Sequence, residues 1–239
     1  MFLRRPRCGA ASLVFPLVFF WACTNAPAPD SSTTRREEPA AAAPAGSAVP
    51  AAQLPQIVVL GDSLTAGYGL TRGEDFPARL QELLDEGGYR FRVVNMGVSG
   101  DTSAGGLRRL DWSLNGDVAI LVVALGGNDG LRGLPASQME QNLRTIVERG
   151  EQQGARVLLC GMEAPPNLGD EYTRAFRGVF SSLAREKQLT LVPFLLEGVA
   201  GVPDLNQGDG IHPNPEGARR VAGVVWRYLE PMLKDPGTQ

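Results

Sequence analysis

Unbroken apolar runs alternate with helical patterns from Gln56 onward. Ile57, Val58, Val59 and Leu60 form a short β-branched run that stops at Gly61, the pattern of a buried strand. Residues 76–86 change period: Leu80, Leu83 and Leu84 share one helical face, Pro77 sits near the start, and Gly87-Gly88 ends the pattern. Residues 91–94 predict a second strand and residues 102–110 a short helix. Residues 118–125 are apolar throughout, as expected of a central parallel strand covered on both faces. A helix over 137–149 carries Met139, Leu143, Ile146 and Val147 on one face, and a strand over 157–162 follows. The next helix, 171–187, buries Ala175, Phe176, Val179, Phe180 and Leu183, and residues 189–192 make the fifth strand. The last helix begins at Asn214 with Pro215 in its first position, and turns Val221, Ala222, Val225, Trp226 and Leu229 inward. Five strand–helix units over residues 55–234 predict one α/β domain, an open five-stranded parallel sheet with helices on both faces. Such sheets bind ligands beyond the carboxyl ends of their strands, so the chemistry is sought there.

Residues 1–54 lack this alternation. Arg4, Arg5 and Arg7 precede an apolar stretch of about 13 residues that ends at Ala22, which is the layout of an export signal. A membrane-spanning helix needs about 20 residues, so the stretch is too short to be one. Cys23 follows Phe20-Trp21-Ala22, and residues 1–22 are read as a lipoprotein-type signal with Cys23 lipidated. Ordinary cleavage after Ala26 or Ala28 is the alternative. Residues 23–54 are rich in Ala, Pro, Ser and Thr and read as a disordered linker. The expected location is therefore the periplasm, or the outer membrane through an N-terminal lipid anchor.

Composition narrows the chemistry. Hydrophobic residues make up 43% of 239, enough for a packed core. The formal charge of -3 becomes more negative once Arg4, Arg5 and Arg7 are removed, which leaves no electrostatic case for nucleic acid. There is a single histidine and no C-x-x-C, so no multi-histidine or cysteine metal site is expected, and no cofactor. Loss of Cys8 with the signal and acylation of Cys23 would leave Cys160, read as a buried strand residue, without a partner for a disulfide.

Each candidate strand end carries unusual residues. The first ends in Gly61-Asp62-Ser63-Leu64, the second in Asn95-Met96-Gly97, the third in Gly126-Gly127-Asn128-Asp129, and Asp209-Gly210-Ile211-His212-Pro213 precedes the last helix. In this order the four blocks resemble those of the SGNH, or GDSL, hydrolases, over about residues 57–229. The resemblance implies a three-layer, flavodoxin-like sandwich and a catalytic serine, Ser63, served by His212 and Asp209. It also implies an oxyanion hole made by the N–H groups of Ser63 and Gly97 and the side-chain amide of Asn128. The stretches 61–69, 99–103, 125–133, 164–169 and 209–214 look most like the bacterial multifunctional thioesterase, lysophospholipase and arylesterase branch. In that branch the segment corresponding to about 130–135 is a mobile substrate loop.

Physical chemistry supports the same assignment. A serine hydroxyl needs a base, and imidazole is the side chain best matched to neutral pH. The chain has one imidazole, His212, and Asp209 lies three residues before it, on a turn that Gly210 makes flexible. Ser99 in Gly97-Val98-Ser99-Gly100 is a weaker nucleophile candidate, because a G-x-S-x-G elbow requires glycine where Asp101 stands. Asp62 and Asp129 adjoin glycines at turn positions and read as Asx-turn residues rather than general acids. Neither glycine-rich block has the lysine or spacing of a phosphate cradle.

Leu131, Leu134, Met162, Pro165 and Leu168 are the candidate acyl-pocket walls. Apolar walls fit an acyl ester or thioester better than a sugar. The expected activity is hydrolysis of such small-molecule esters by a monomer. A carbohydrate acetylesterase and an inactive exported lipoprotein that only binds ligand are the alternatives.

Overall fold

The computed structural model describes residues 54–234; the export signal, Cys23 and nearly all of the linker lie outside them. In chain order the main elements are β1 (Gln56–Gly61), α1 (Ser63–Ala66), α2 (Phe76–Glu86), β2 (Arg92–Gly97), α3 (Ser103–Arg108), α4 (Leu110–Ser113) and β3 (Val118–Ala124). They continue with α5 (Gly127–Leu131), α6 (Ala136–Gln152), β4 (Arg156–Cys160), α7 (Asp170–Lys187), β5 (Thr190–Val192) and α8 (Pro215–Leu233).

All four strand pairings are parallel, in the order β2-β1-β3-β4-β5. This is the flavodoxin-like order, and the α/β class predicted from the alternating pattern is the one observed. The order reverses between β1 and β3, where the two crossovers leave toward opposite faces and a crevice opens beyond the strand ends. The segments carrying Ser63 and Asn128 leave those two strands.

Burial explains the placement. Ile57 to Leu60 on β1 and Ile120 to Val123 on β3 are fully enclosed, which requires helices on both faces. Helix α2 packs with α8, and α6 packs between α3 and α7. β2 is an edge strand with half-buried positions, and it runs three residues past the predicted end because β1 pairs with it as far as Gly61↔Gly97. Cys160 ends β4 fully buried, and burial pushes its thiol up to about 12, so it is no nucleophile.

Candidate active site

β1 delivers the serine. Its last residue is followed by Asp62, whose Oδ1 accepts the Leu64 N–H at 3.0 Å and caps the single turn α1 that begins at Ser63. The Asx-type role expected of Asp62 is the one observed. The Ser63 N–H has no partner among the described residues.

The histidine comes from the loop before α8. Asn206 and Pro213 pair as an isolated antiparallel bridge, and the Gln207 N–H donates to the His212 carbonyl at 2.7 Å. Gln207 Nε2 donates to the Tyr68 carbonyl at 2.6 Å and to the Pro213 carbonyl at 3.0 Å, tying this loop to the one that follows Ser63. The Tyr68 ring lies against His212, with centroids 4.8 Å apart. Asn214 then caps α8 through the N–H groups of Glu216 and Gly217.

The three expected residues meet. His212 Nε2 is 2.9 Å from Ser63 Oγ, and His212 Nδ1 is 2.7 Å from Asp209 Oδ2. Asp209 Oδ1 accepts the N–H groups of Ile211 at 2.9 Å and His212 at 3.0 Å. The His212 N–H, then its imidazole, then the Ile211 N–H hold the Asp209 carboxyl down to about 2. Asp209 is therefore an anion across the working range, able to fix the imidazole tautomer and stabilise an imidazolium.

Asn128 sits in α5, just past β3. Its Nδ2 donates to the Asp101 carbonyl at 3.0 Å and to Asp62 Oδ2 at 3.4 Å. Asp62 is buried, and desolvation pushes its carboxyl up to about 6 against the opposing Leu64 N–H, His212 charge and Asn128 amide. Asp129 departs from its expected local turn role. It is buried and reaches across to α3, accepting the Ser103 N–H at 2.7 Å and the Ser103 Oγ–H at 2.6 Å.

Gly97 requires a correction. It closes β2, its N–H donates to Asn95 Oδ1 at 2.9 Å, and it does not line the cleft. A Cβ there would fall 2.2 Å from the Ala66 nitrogen, so the glycine is needed for packing against α1. The glycine that faces the cleft instead is Gly100. It lines the cleft with Ser63 and Asn128, has φ of 83°, and its N–H has no partner among the described residues. Arg132 Nη2 donates to its carbonyl at 2.8 Å. Gly97 is the last residue of β2 and Gly100 lies three residues beyond it, so the point where the chain leaves the ladder decides between them.

A cleft of about 650 Å³ opens at Ser63 and His212. Leu131, Met162 and Pro165 line it as expected, joined by Phe194, Leu196 and Ile211, which were not anticipated. Leu134 and Leu168 lie outside it. The Leu134 carbonyl accepts the Tyr172 hydroxyl at 2.8 Å, and Leu168 is exposed, its side chain 3.7 Å from where a Gly133 Cβ would stand. The segment expected as a loop over 130–135 begins inside α5, which runs to Leu131. A supporting pair also went unpredicted: Arg109 Nε meets Asp101 Oδ2 at 2.6 Å while its Nη2 donates to the Gly61 carbonyl at 2.8 Å.

The sequence pattern of the GDSL-like lipase/acylhydrolase family matches residues 59–220. The chain belongs to this family. It is 46% identical over 178 residues to the esterase TesA of Pseudomonas aeruginosa, covering 74% of this chain and 89% of that protein. It is 39% identical over 184 residues to thioesterase 1/protease 1/lysophospholipase L1 of Escherichia coli, covering 77% of this chain and 87% of that one. Among solved structures, the psychrotrophic esterase EstA from Pseudoalteromonas sp., inhibited by monoethylphosphonate, superposes with a TM-score of 0.72 at 32% identity over 75% of this chain and 99% of that chain. The family is one of esterases and lipases, and this member is a serine ester hydrolase.

Proposed function

We propose that the chain hydrolyses acyl esters or thioesters of small molecules through an acyl-Ser63 intermediate. One observation carries the reading: the unbroken relay from Asp209 through His212 to Ser63, with contacts of 2.7 and 2.9 Å, at the mouth of an apolar-walled cleft.

In this reading Ser63 Oγ attacks the acyl carbonyl as His212 Nε2 takes its proton, and anionic Asp209 stabilises the imidazolium. Charge on the former carbonyl oxygen is met by the N–H groups of Ser63 and Gly100 and by the Asn128 amide. The imidazolium then protonates the departing alkoxide or thiolate. A water then attacks the acyl carbon as His212 takes its proton, and His212 returns that proton to Ser63 Oγ as the carboxylic acid leaves.

The names of the relatives, esterase and thioesterase/lysophospholipase, support the ester and thioester classes. The apolar walls favour acyl chains over the acetylated glycans of a carbohydrate esterase. One chain supplies relay and cleft, which supports action as a monomer. The arginines and apolar stretch before Cys23 support export to the periplasm and a lipid-anchored N-terminus. Mass spectrometry of the mature N-terminus tests the anchor: a diacylglyceryl-modified Cys23 supports it, and an unmodified start at Pro27 or Pro29 refutes it.

A series of p-nitrophenyl esters from acetyl to palmitoyl tests the substrate class. Highest kcat/KM beyond acetyl, abolished in Ser63→Ala, is expected. Activity confined to acetyl groups would favour the acetylesterase reading.

A further inference from the structure

Asp62 is buried beside both the nucleophile and the oxyanion amide, yet it belongs to neither the relay nor the donor set. Its two oxygens are divided between the two strand ends. Oδ1 holds the Leu64 N–H and with it the turn that starts at Ser63. Oδ2 faces Asn128 from the β3 side at 3.4 Å. Glycine at 127 permits this approach, because a Cβ there would stand 3.1 Å from Oδ2.

The Asn128 amide has two N–H groups. One is anchored on the Asp101 carbonyl at 3.0 Å, and the other makes the long contact with Asp62. A bond of that length is weak, so the second N–H is aimed without being firmly held. It is the one that can be shared with a developing oxyanion.

We propose that Asp62 is a positioning residue, which fixes the Ser63 turn with one carboxylate oxygen and presents the Asn128 amide to the oxyanion with the other. The inference rests on the reading of Asn128 as an oxyanion donor. Of the ionisable groups around the site, His212 acts on Asp62 from the loop before α8, while Arg109 and Asp129 are engaged elsewhere. Arg109 reaches the neighbouring Gly61 carbonyl, with its own charge met by Asp101. Asp129 is turned away toward Ser103. Burial raises the carboxyl to about 6, while the Leu64 N–H, His212 and the Asn128 amide favour the anion.

The test is a double-mutant cycle of Asp62→Asn, Asn128→Ala and the pair, with kcat and KM for p-nitrophenyl butyrate measured from pH 4 to 9. Asp62→Asn keeps an acceptor for Leu64 but sets an amide against an amide at Asn128. We expect kcat about ten-fold lower with KM little changed, less than the roughly 10²–10³ cost of losing an oxyanion donor outright. In the Asn128→Ala background the same change should cost less than about two-fold, the non-additivity of groups that act as a unit. The acid limb of kcat/KM should also move to lower pH, since the imidazolium loses a neighbouring anion. Equal losses in both backgrounds, or an unmoved limb, would overturn the proposal. Wild-type turnover in Asn128→Ala would instead overturn the oxyanion reading beneath it. If Asp62→Asn does not fold, carbon NMR of carboxyl-labelled wild-type protein decides. A buried aspartate resonance titrating near 6 and moving in Asn128→Ala supports the proposal. An Asp62 resonance that does not move in Asn128→Ala overturns it.

Discussion

His212 Nε2 lies 2.9 Å from Ser63 Oγ although 149 residues separate the two in sequence. The sheet closes that distance: Ser63 follows the central strand β1, and the loop before α8 bends back over it through the Gln207–Tyr68 bond. A nucleophile and a base held so by independent elements are expected to act as one unit. Ser63→Ala and His212→Ala should therefore each lower kcat by roughly 10⁴–10⁶, and the double variant by little more. Steady-state kinetics on a p-nitrophenyl ester checks this, and additive losses would contradict it.

Asp209 should show a different pattern. Its carboxyl is held well below the ordinary range, so the stability it contributes is present above that range and lost as pH falls through about 2. Asp209→Asn is expected to lower the melting temperature at pH 7 and to converge with wild type near pH 2. It should also cut kcat by roughly 10³–10⁴, because the imidazole loses its tautomer lock. Calorimetry against pH, together with kcat, measures both effects.

The two glycines at and after the end of β2 separate packing from chemistry. Gly97→Ala forces a Cβ to within 2.2 Å of the Ala66 backbone, and a marked fall in melting temperature is expected. A Cβ on Gly100 meets only Arg132 Nη2 at 3.7 Å, so its cost is the left-handed backbone, roughly 1–2 kcal/mol. Relief of that strain turns the peptide, and Gly100→Ala should lose kcat out of proportion to its stability. Thermal melts beside kcat for the two variants distinguish the roles.

Much of this was legible in the sequence because periodicity and local chemistry agreed. The helix over Phe76–Glu86 was bounded by Pro77 and Gly87, and the first turn of α8 by Asn214 and Pro215. Three of the four motif blocks placed Ser63, Asn128 and the Asp209–His212 pair at one sheet edge, and the block ending in Gly97 did not reach the cleft. What escaped lacked a period. Turns of four or five residues, such as α1 and α5, show none. β2 continues through Asn95, Met96 and Gly97 because β1 supplies partners, and the glycine that lines the cleft is Gly100, three residues further on. Whether a loop side chain such as Leu131 or Leu134 turns toward the cleft depends on tertiary contacts that no local pattern encodes.

The cleft assignment makes its own prediction. Leu131 lines the cleft and Leu134 does not. Leu131→Ser should lower kcat/KM for octanoyl relative to acetyl esters by about ten-fold, the worth of a lost apolar contact in a binding pocket. Leu134→Ser should leave the chain-length profile as in wild type. A profile altered equally by both variants would contradict the placement.

Arg109 bridges Asp101 and the Gly61 carbonyl, and so braces the anchor of Asn128 against the strand that delivers Ser63. Arg109→Ala leaves the mostly buried Asp101 carboxylate without its cation and the Gly61 carbonyl with the Val98 N–H alone, at a cost of roughly 1–3 kcal/mol. A lower melting temperature with a fall in kcat larger than any change in KM is expected. Denaturant melts and steady-state kinetics on the same preparation measure the two effects together.

The central claim is that His212 activates Ser63. It is tested most directly by reacting the protein with a fluorophosphonate and locating the adduct by peptide mass spectrometry. Stoichiometric modification of Ser63 in the wild-type chain, and its loss in His212→Ala, is the predicted result. An adduct on another serine such as Ser99, or undiminished labelling of Ser63 without His212, would contradict it.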